Sequence, residues 1–180
     1  MKPTLNLRKL PILKFAKSES RLDGAEPLSH FDRLQDFQQG EILDAQVQFH
    51  AHGEMRAAAE GGSAPWLQLS ADTRLTLVCQ RCLAPVEQEV TFAREFRFVA
   101  SEAQAELEDE ESEEDVLALS AEFDLLELVE DELLMALPAS PKHELCPQAV
   151  KLQVADVDFQ DTQDKPNPFA ALVGLKLPKG

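Results

Sequence analysis

Residues 67–98 read LQLSADTRLTLVCQRCLAPVEQEVTFAREFRF. In the first half Leu67, Leu69, Ala71, Leu75 and Leu77 alternate with Gln68, Ser70, Asp72, Arg74 and Thr76, and in the second Val86, Val90, Phe92, Phe96 and Phe98 share one side. A period of two puts successive side chains on opposite faces, so each half is a strand with one dry and one wet face. The linker Cys79-Gln80-Arg81-Cys82-Leu83-Ala84-Pro85 is then the tip of a long antiparallel hairpin. A pair of cysteines sits on that tip.

Moving towards the N-terminus, Leu43, Ala45, Val47, Phe49 and Ala51 alternate with Asp44, Gln46, Gln48, His50 and His52, which adds a third strand. Residues 53–65 contain Gly61-Gly62-Ser63 and read as a loop. Leu28, Phe31, Leu34 and Phe37 recur at helical spacing and predict a short helix over 28–38. Towards the C-terminus the period lengthens to about 3.6. Asp124 is a good N-cap with Glu127 three residues on, and Leu125, Leu126, Leu128, Val129, Leu133, Leu134 and Leu137 cover one broad side of a helix that Pro138 ends. Glu130, Asp131 and Glu132 fall on the other side. Asn167-Pro168 followed by an apolar run to Val173 predicts a short terminal helix.

The expected fold class is α+β: an antiparallel sheet with a long hairpin, packed against one main amphipathic helix, with short N- and C-terminal helices. The expected layout is an N-terminal segment over 1–39, the sheet over 40–100, an acidic disordered loop over 101–119, a helix and Pro-rich connection over 120–150 closing the same domain, and a tail over 151–180.

The charge of the chain is uneven. Of 33 Asp and Glu residues against 17 Lys and Arg, fifteen acids and no base lie in residues 101–135, which leaves 18 acids against 17 bases elsewhere. A field gathered on one segment repels phosphates and attracts cationic proteins locally. The first 18 residues carry five bases and no acid, but Pro11 and Lys14 break the apolar run that a secretory signal needs, and Pro3 and Pro11 spoil the amphipathic helix that a transit peptide usually forms. No stretch approaches the roughly 20 apolar residues of a membrane span. A soluble cytoplasmic chain is expected.

Cys79 and Cys82 form C-x-x-C, and His143 and Cys146 repeat that spacing 60-odd residues later. Thiolate and imidazole are the ligands zinc prefers, and two such pairs brought together make a closed tetrahedral site with no place for substrate. Structural zinc on Cys79, Cys82, His143 and Cys146 stands against three reduced, non-ligating cysteines; a redox role is poorer, because the motif does not open a helix. His50 and His52 share one side of a strand, as cation ligands or as exposed polar groups. Arg74, Arg81, Arg94 and Arg97 can touch phosphate, or pair across strands with Asp72, Glu87, Glu89 and Glu95. The chain has no Gly-rich phosphate loop, H-E-x-x-H or G-x-S-x-G, and its clustered acids have nothing to split their pKa values, so no catalytic residue is assigned.

The order of Cys79-Gln80-Arg81-Cys82-Leu83, the run from Asp124 to Pro138, His143 with Cys146, and Lys165-Pro166-Asn167-Pro168-Phe169-Ala170-Ala171-Leu172 resembles the YceD family of bacteria from about residue 40 onward. The resemblance implies a ribosome-biogenesis role in the synthesis, processing or accumulation of 23S (large-subunit) rRNA. Charge placement makes a non-enzymatic adaptor the expected mechanism, with a basic ribosomal protein or rRNA-processing factor as partner and contact with rRNA indirect. The alternatives are an RNA-processing enzyme and a zinc-stabilised interaction module with no ribosomal role.

Overall fold

A computed structural model of the chain describes residues 6–40, 45–58, 61–110 and 112–148, together with Val154, Asp158 and Phe169. The chain divides into two units, Met1–Gln148 and Ala149–Gly180. The terminal helix expected over 167–173 lies outside the described residues.

The first unit runs α1 (Ile12–Lys17), β1 (Arg21–Pro27), α2 (Asp32–Gln35), β2 (Gln46–Ala57), β3 (Ser63–Val78), β4 (Pro85–Val99), α3 (Glu102–Asp109), β5 (Asp115–Ala118) and α4 (Leu125–Met135). The strands form one sheet in the order β1-β2-β3-β4-β5. The first four are antiparallel, with Leu67 opposite Phe96 and Val78 opposite Pro85 in the hairpin, while β5 runs parallel to β4. Every apolar residue that the alternation assigned to the dry face of β3 and β4 is buried. Thr73 interrupts that row, and its hydroxyl donates to the Gln46 carbonyl at 3.0 Å, so the buried polar group is satisfied. Leu125, Leu126, Val129 and Leu133 of α4 bury into the same cluster as the sheet's dry face. Asp124 caps α4 as expected, its carboxylate accepting from Glu127 N at 3.0 Å. No helix among the described residues is long and apolar enough to cross a membrane.

The structure differs from the sequence reading in several places. The loop expected over 53–65 shrinks to a turn, because Met55, Arg56 and Ala57 continue to pair with Pro65, Ala64 and Ser63. Gly61 and Gly62, with φ of +95° and +86°, make the reversal. The helix expected over 28–38 is a 3-10 turn at Leu28–His30 followed by the four residues of α2, since Phe31 leaves the helical region at φ −122°. The N-terminal segment is not an extension: Leu10, Ile12, Phe15 and Ala16 are all buried. Leu10 and Phe123 exchange backbone hydrogen bonds of 2.8 and 3.2 Å. Gly53 lets α1 lie close to β2, for a Cβ there would meet the Phe15 ring and the Ala16 backbone. β1 carries no strong alternation, and pairing with β2 rather than local propensity makes it a strand.

The acidic stretch is the largest correction. Residues 101–119 are not a disordered loop but the crossover β4-α3-β5, the kind of connection parallel strands require. Ser101 caps α3 through Gln104 N, and Val99, Ala105 and Val116 form a small apolar cluster of their own. Arginines fasten the acids down. Arg97 binds Glu114 at 2.7 Å, Glu108 at 2.5 Å and the Ser112 hydroxyl at 2.9 Å, and Arg94 binds Asp115 at 2.9 Å. The cross-strand pairing expected of Arg94 and Arg97 is therefore replaced by pairing to the acidic stretch, and Glu95 pairs with Arg56 instead, at 2.7 Å. Arg56 in turn lies over the Trp66 ring at 4.4 Å.

Glu130 and Glu132, assigned above to the wet side of α4, are 9% and 6% exposed. The helix is flanked by α2 on one side and by β4 on the other, and each carboxylate has an arginine to meet it. Glu130 accepts from Arg33 N at 2.8 Å, Leu34 N at 3.2 Å and the Arg33 guanidinium at 3.0 and 3.1 Å. Glu132 Oε2 lies 3.0 Å from Arg94 Nε, yet it lacks the alignment of a hydrogen bond and has no hydrogen-bond partner. Burial pushes the Glu132 carboxyl upward, Arg94 opposes this, and Asp115 and Asp131 add to it. A carboxyl whose folded-state pKa is raised stabilises the fold below its unfolded value and loses that contribution as pH rises through the folded value. Glu132→Gln is therefore expected to melt higher than the parent at pH 7.5, with the difference closing near pH 4. Thermal melts across that range check it, and a lower melting point for the variant at pH 7.5 would contradict it.

Candidate metal centre

The tip of the hairpin is built by its own backbone. Beyond the last pair of β3 and β4, Cys79 N donates to Ala84 O at 3.0 Å and Leu83 N donates to Cys79 O at 2.8 Å, which closes a tight turn. Leu83 takes a left-handed φ of +60° to complete it. This folding turns the N–H groups of Arg81 and Cys82 towards the Cys79 sulfur. From the other side, Pro138 follows the end of α4, and Gln80 N donates to Pro141 O at 2.8 Å, docking residues 141–146 on the tip.

The four residues singled out by their spacing converge. One donor atom from each of Cys79, Cys82, His143 and Cys146 lies within 4.8 Å of all the others. Cys79 Sγ and Cys146 Sγ are 3.9 Å apart, and Cys82 Sγ is 3.5 Å from His143 Nδ1. Sulfur at about 2.3 Å and nitrogen at about 2.0 Å from a tetrahedral zinc would stand about 3.8 Å from each other for S and S, and about 3.5 Å for S and N. The two pair distances match that geometry. All three thiols are free.

The surroundings favour ligation. His143 Nε2 lies 2.9 Å from the Pro85 carbonyl, a contact that requires a proton on Nε2 and so leaves Nδ1 as the lone pair facing the sulfurs. Burial pushes the Cys79 thiol up, but the backbone N–H groups of His143, Arg81 and Cys82, with the Cys82 thiol, outweigh it and bring the group down to about 5. For Cys82 the Ala84 N–H favours the thiolate, while burial and the sulfurs of Cys146 and Cys79 oppose it and leave the thiol raised. The Cys79 sulfur ionises readily and Cys82 beside it resists, as neighbouring like charges do.

Arg81 has a role that the sequence reading missed. Its Nε donates to Cys146 Sγ at 3.1 Å, and its Nη2 donates to the carbonyls of His143 and Glu144 at 2.5 and 3.2 Å. It holds the second ligand pair against the first. The signal available was its place between the two cysteines, where a guanidinium meets the ligand set before it meets any outside phosphate. Arg74 has no ion pair among the described residues. His50 and His52 lie elsewhere, on the open face of the sheet: His50 Nδ1 meets Asp23 at 2.7 Å and His52 Nδ1 meets Gln68 Oε1 at 3.5 Å. Among the described residues they join no group of three or more metal-ligating side chains.

Residues 67–176 match the family model for the large ribosomal RNA subunit accumulation protein YceD. The large ribosomal RNA subunit accumulation protein YceD of Haemophilus influenzae is 33% identical over 165 residues, covering 88% of this chain and 90% of that protein. No solved structure matches.

Proposed function

The chain belongs to the YceD family of large ribosomal RNA subunit accumulation proteins, and from that membership we propose that it supports accumulation of large-subunit rRNA as a zinc-stabilised adaptor without catalysis. Zinc on Cys79, Cys82, His143 and Cys146 fills all four positions with protein ligands. Such a site supplies rigidity and leaves no place for a substrate or an activated water.

The observation that carries the adaptor reading is where the acids lie. α3 and β5 sit beside residues 96–99 of β4, while the metal-ligand set sits beyond Pro85 at the other end of that strand. The eleven steps from Pro85 to Phe96, at about 3.3 Å each, span about 36 Å, several times the screening length of about 8 Å at physiological salt. The two ends are electrostatically independent. The acidic end repels phosphates, since RNA binding draws on Lys and Arg to release counterions, and it suits a basic ribosomal protein or processing factor. Five of the acids at this end are already neutralised by Arg94, Arg97, Lys9 and Arg8, whose partners are Asp115, Glu108, Glu114, Glu122 and Asp124. Glu102, Glu106, Glu110 and Glu113 remain exposed for a partner.

The test is purification of the full-length chain from cytoplasmic extract at near-physiological salt, probed for precursor large-subunit rRNA and for ribosomal proteins. Both are expected, with the ribosomal proteins retained when the RNA is digested. Loss of the proteins after RNA digestion, or cleavage of precursor rRNA by the purified protein, would replace the adaptor by a direct RNA binder or an enzyme. Recovery of neither would end the ribosomal reading.

A further inference from the structure

Two surfaces of the first unit are left uncovered, and they are complementary. On α3 the buried side is Ala105, which packs with Val99 and Val116, so Ala103 and Leu107 lie one turn apart on the outward side. Leu107 is 73% exposed. Glu106 and Glu110 flank this pair, both exposed and neither in an ion pair among the described residues. The second surface is a groove of about 330 Å³ between α1 and the chain that leaves β5, lined by Pro11, Leu13, Lys14, Lys17, Ser120 and Ala121. Its wall is mainly apolar, with Leu13 40% exposed. Lys14 and Lys17 stand exposed beside it and have no ion pair among the described residues.

We propose that these surfaces join two copies of the chain: the outward face of α3 in one copy, with Leu107 at its centre, seats in the groove beside Leu13 of the other, and the exchange closes a two-fold dimer. A second copy is the occupant that the charges fit, because this chain carries both halves. Apolar meets apolar, and Glu106 and Glu110 meet Lys14 and Lys17. The placement also allows closure. Leu119 N donates to Val99 O at 2.8 Å, which sets Ser120 and Ala121 of the groove beside the strand end from which α3 departs. Groove and helix flank one corner of the sheet, and a two-fold axis there lets each copy give its helix and receive the other's. The inference stands apart from the assembly reading. A cationic partner at the acidic end would compete with the second copy for Glu106 and Glu110.

The test is sedimentation equilibrium of the full-length chain over a concentration series. The parent is expected to rise from 20.0 kDa towards twice that mass, and Leu107→Ser to associate about tenfold or more weakly. Lys14→Glu/Lys17→Glu sets acids against acids, and Glu106→Lys/Glu110→Lys sets bases against bases, so each variant alone is expected to stay monomeric. All four side chains are exposed, and both variants are expected to melt with the parent. Mixed in equal amounts they are expected to recover the dimer, because both contacts between unlike copies are then complementary. A parent that stays at 20.0 kDa at every concentration overturns the contact. So do single variants that dimerise as the parent does, and so does failure of the mixed variants to associate.

Discussion

Replacing Cys79 or Cys146 by serine is expected to remove bound zinc and lower the melting temperature by about 10 °C or more. The reasoning starts from connectivity. The hairpin tip and residues 141–146 are joined by one backbone hydrogen bond, the contact of His143 with the Pro85 carbonyl, the Arg81 contacts and the convergent Cys and His side chains, so an ion held there would add a tie between the far end of the hairpin and the chain that leaves α4. A serine hydroxyl is too poor a donor to replace thiolate at about 2.3 Å. Cys79 shows the larger effect of the two, because it is fully buried and its sulfur receives three backbone N–H groups that would be left facing a weaker acceptor. The rest of the core, Leu67, Leu75, Phe96 and Leu133 among it, is buried without the tip's ligand contacts and is expected to survive. Elemental analysis paired with a thermal melt reads both effects, and a zinc-free variant melting with the parent would contradict them.

Glu130→Ala is expected to destabilise the fold by about 3 kcal/mol, which lowers the melting temperature by about 10 °C. Phe31 offers α2 no side-chain cap, and the first amides of a helix have no partner inside it. The Glu130 carboxylate supplies one, taking Arg33 N and Leu34 N together, and it engages the Arg33 guanidinium as well. Alanine leaves these donors without an acceptor at a position only 9% exposed. Glu130→Gln keeps one acceptor and is expected to recover part of the loss. Equal stability of the alanine variant and the parent in urea titration would show that water satisfies those amides and that the carboxylate adds nothing.

What could be read from the chain followed the strength of its periodicities. The β3-β4 hairpin, the Asp124-capped helix and the pairing of Cys79 and Cys82 with His143 and Cys146 were legible, because alternation, capping chemistry and residue spacing are local properties. Residues 101–119 misled because composition alone says nothing about counter-charges: Arg94 and Arg97 sit on a strand several residues upstream, and only the fold shows that they point at Glu108, Glu114 and Asp115. The same limit hid Glu130 and Glu132, polar by identity and buried by their arginine partners. β1 was invisible for a different reason. Its residues Arg21, Asp23, Ala25 and Pro27 are exposed around a half-buried Gly24, and Gly24 is there to accept the ring of Phe49 from the neighbouring strand. A glycine that lowers strand propensity locally is what permits the cross-strand packing.

The acidic crossover and the cluster of Cys79, Cys82, His143 and Cys146 lie at opposite ends of the β3-β4 hairpin, and the far end depends on what holds the tip. The measurement that bears most directly on it is zinc K-edge X-ray absorption of the full-length chain purified without metal-affinity steps. One zinc per chain is expected, with three sulfurs at about 2.3 Å and one nitrogen at about 2.0 Å. A chain that carries no zinc, takes none up when it is offered, and melts identically with and without a chelator would contradict the account.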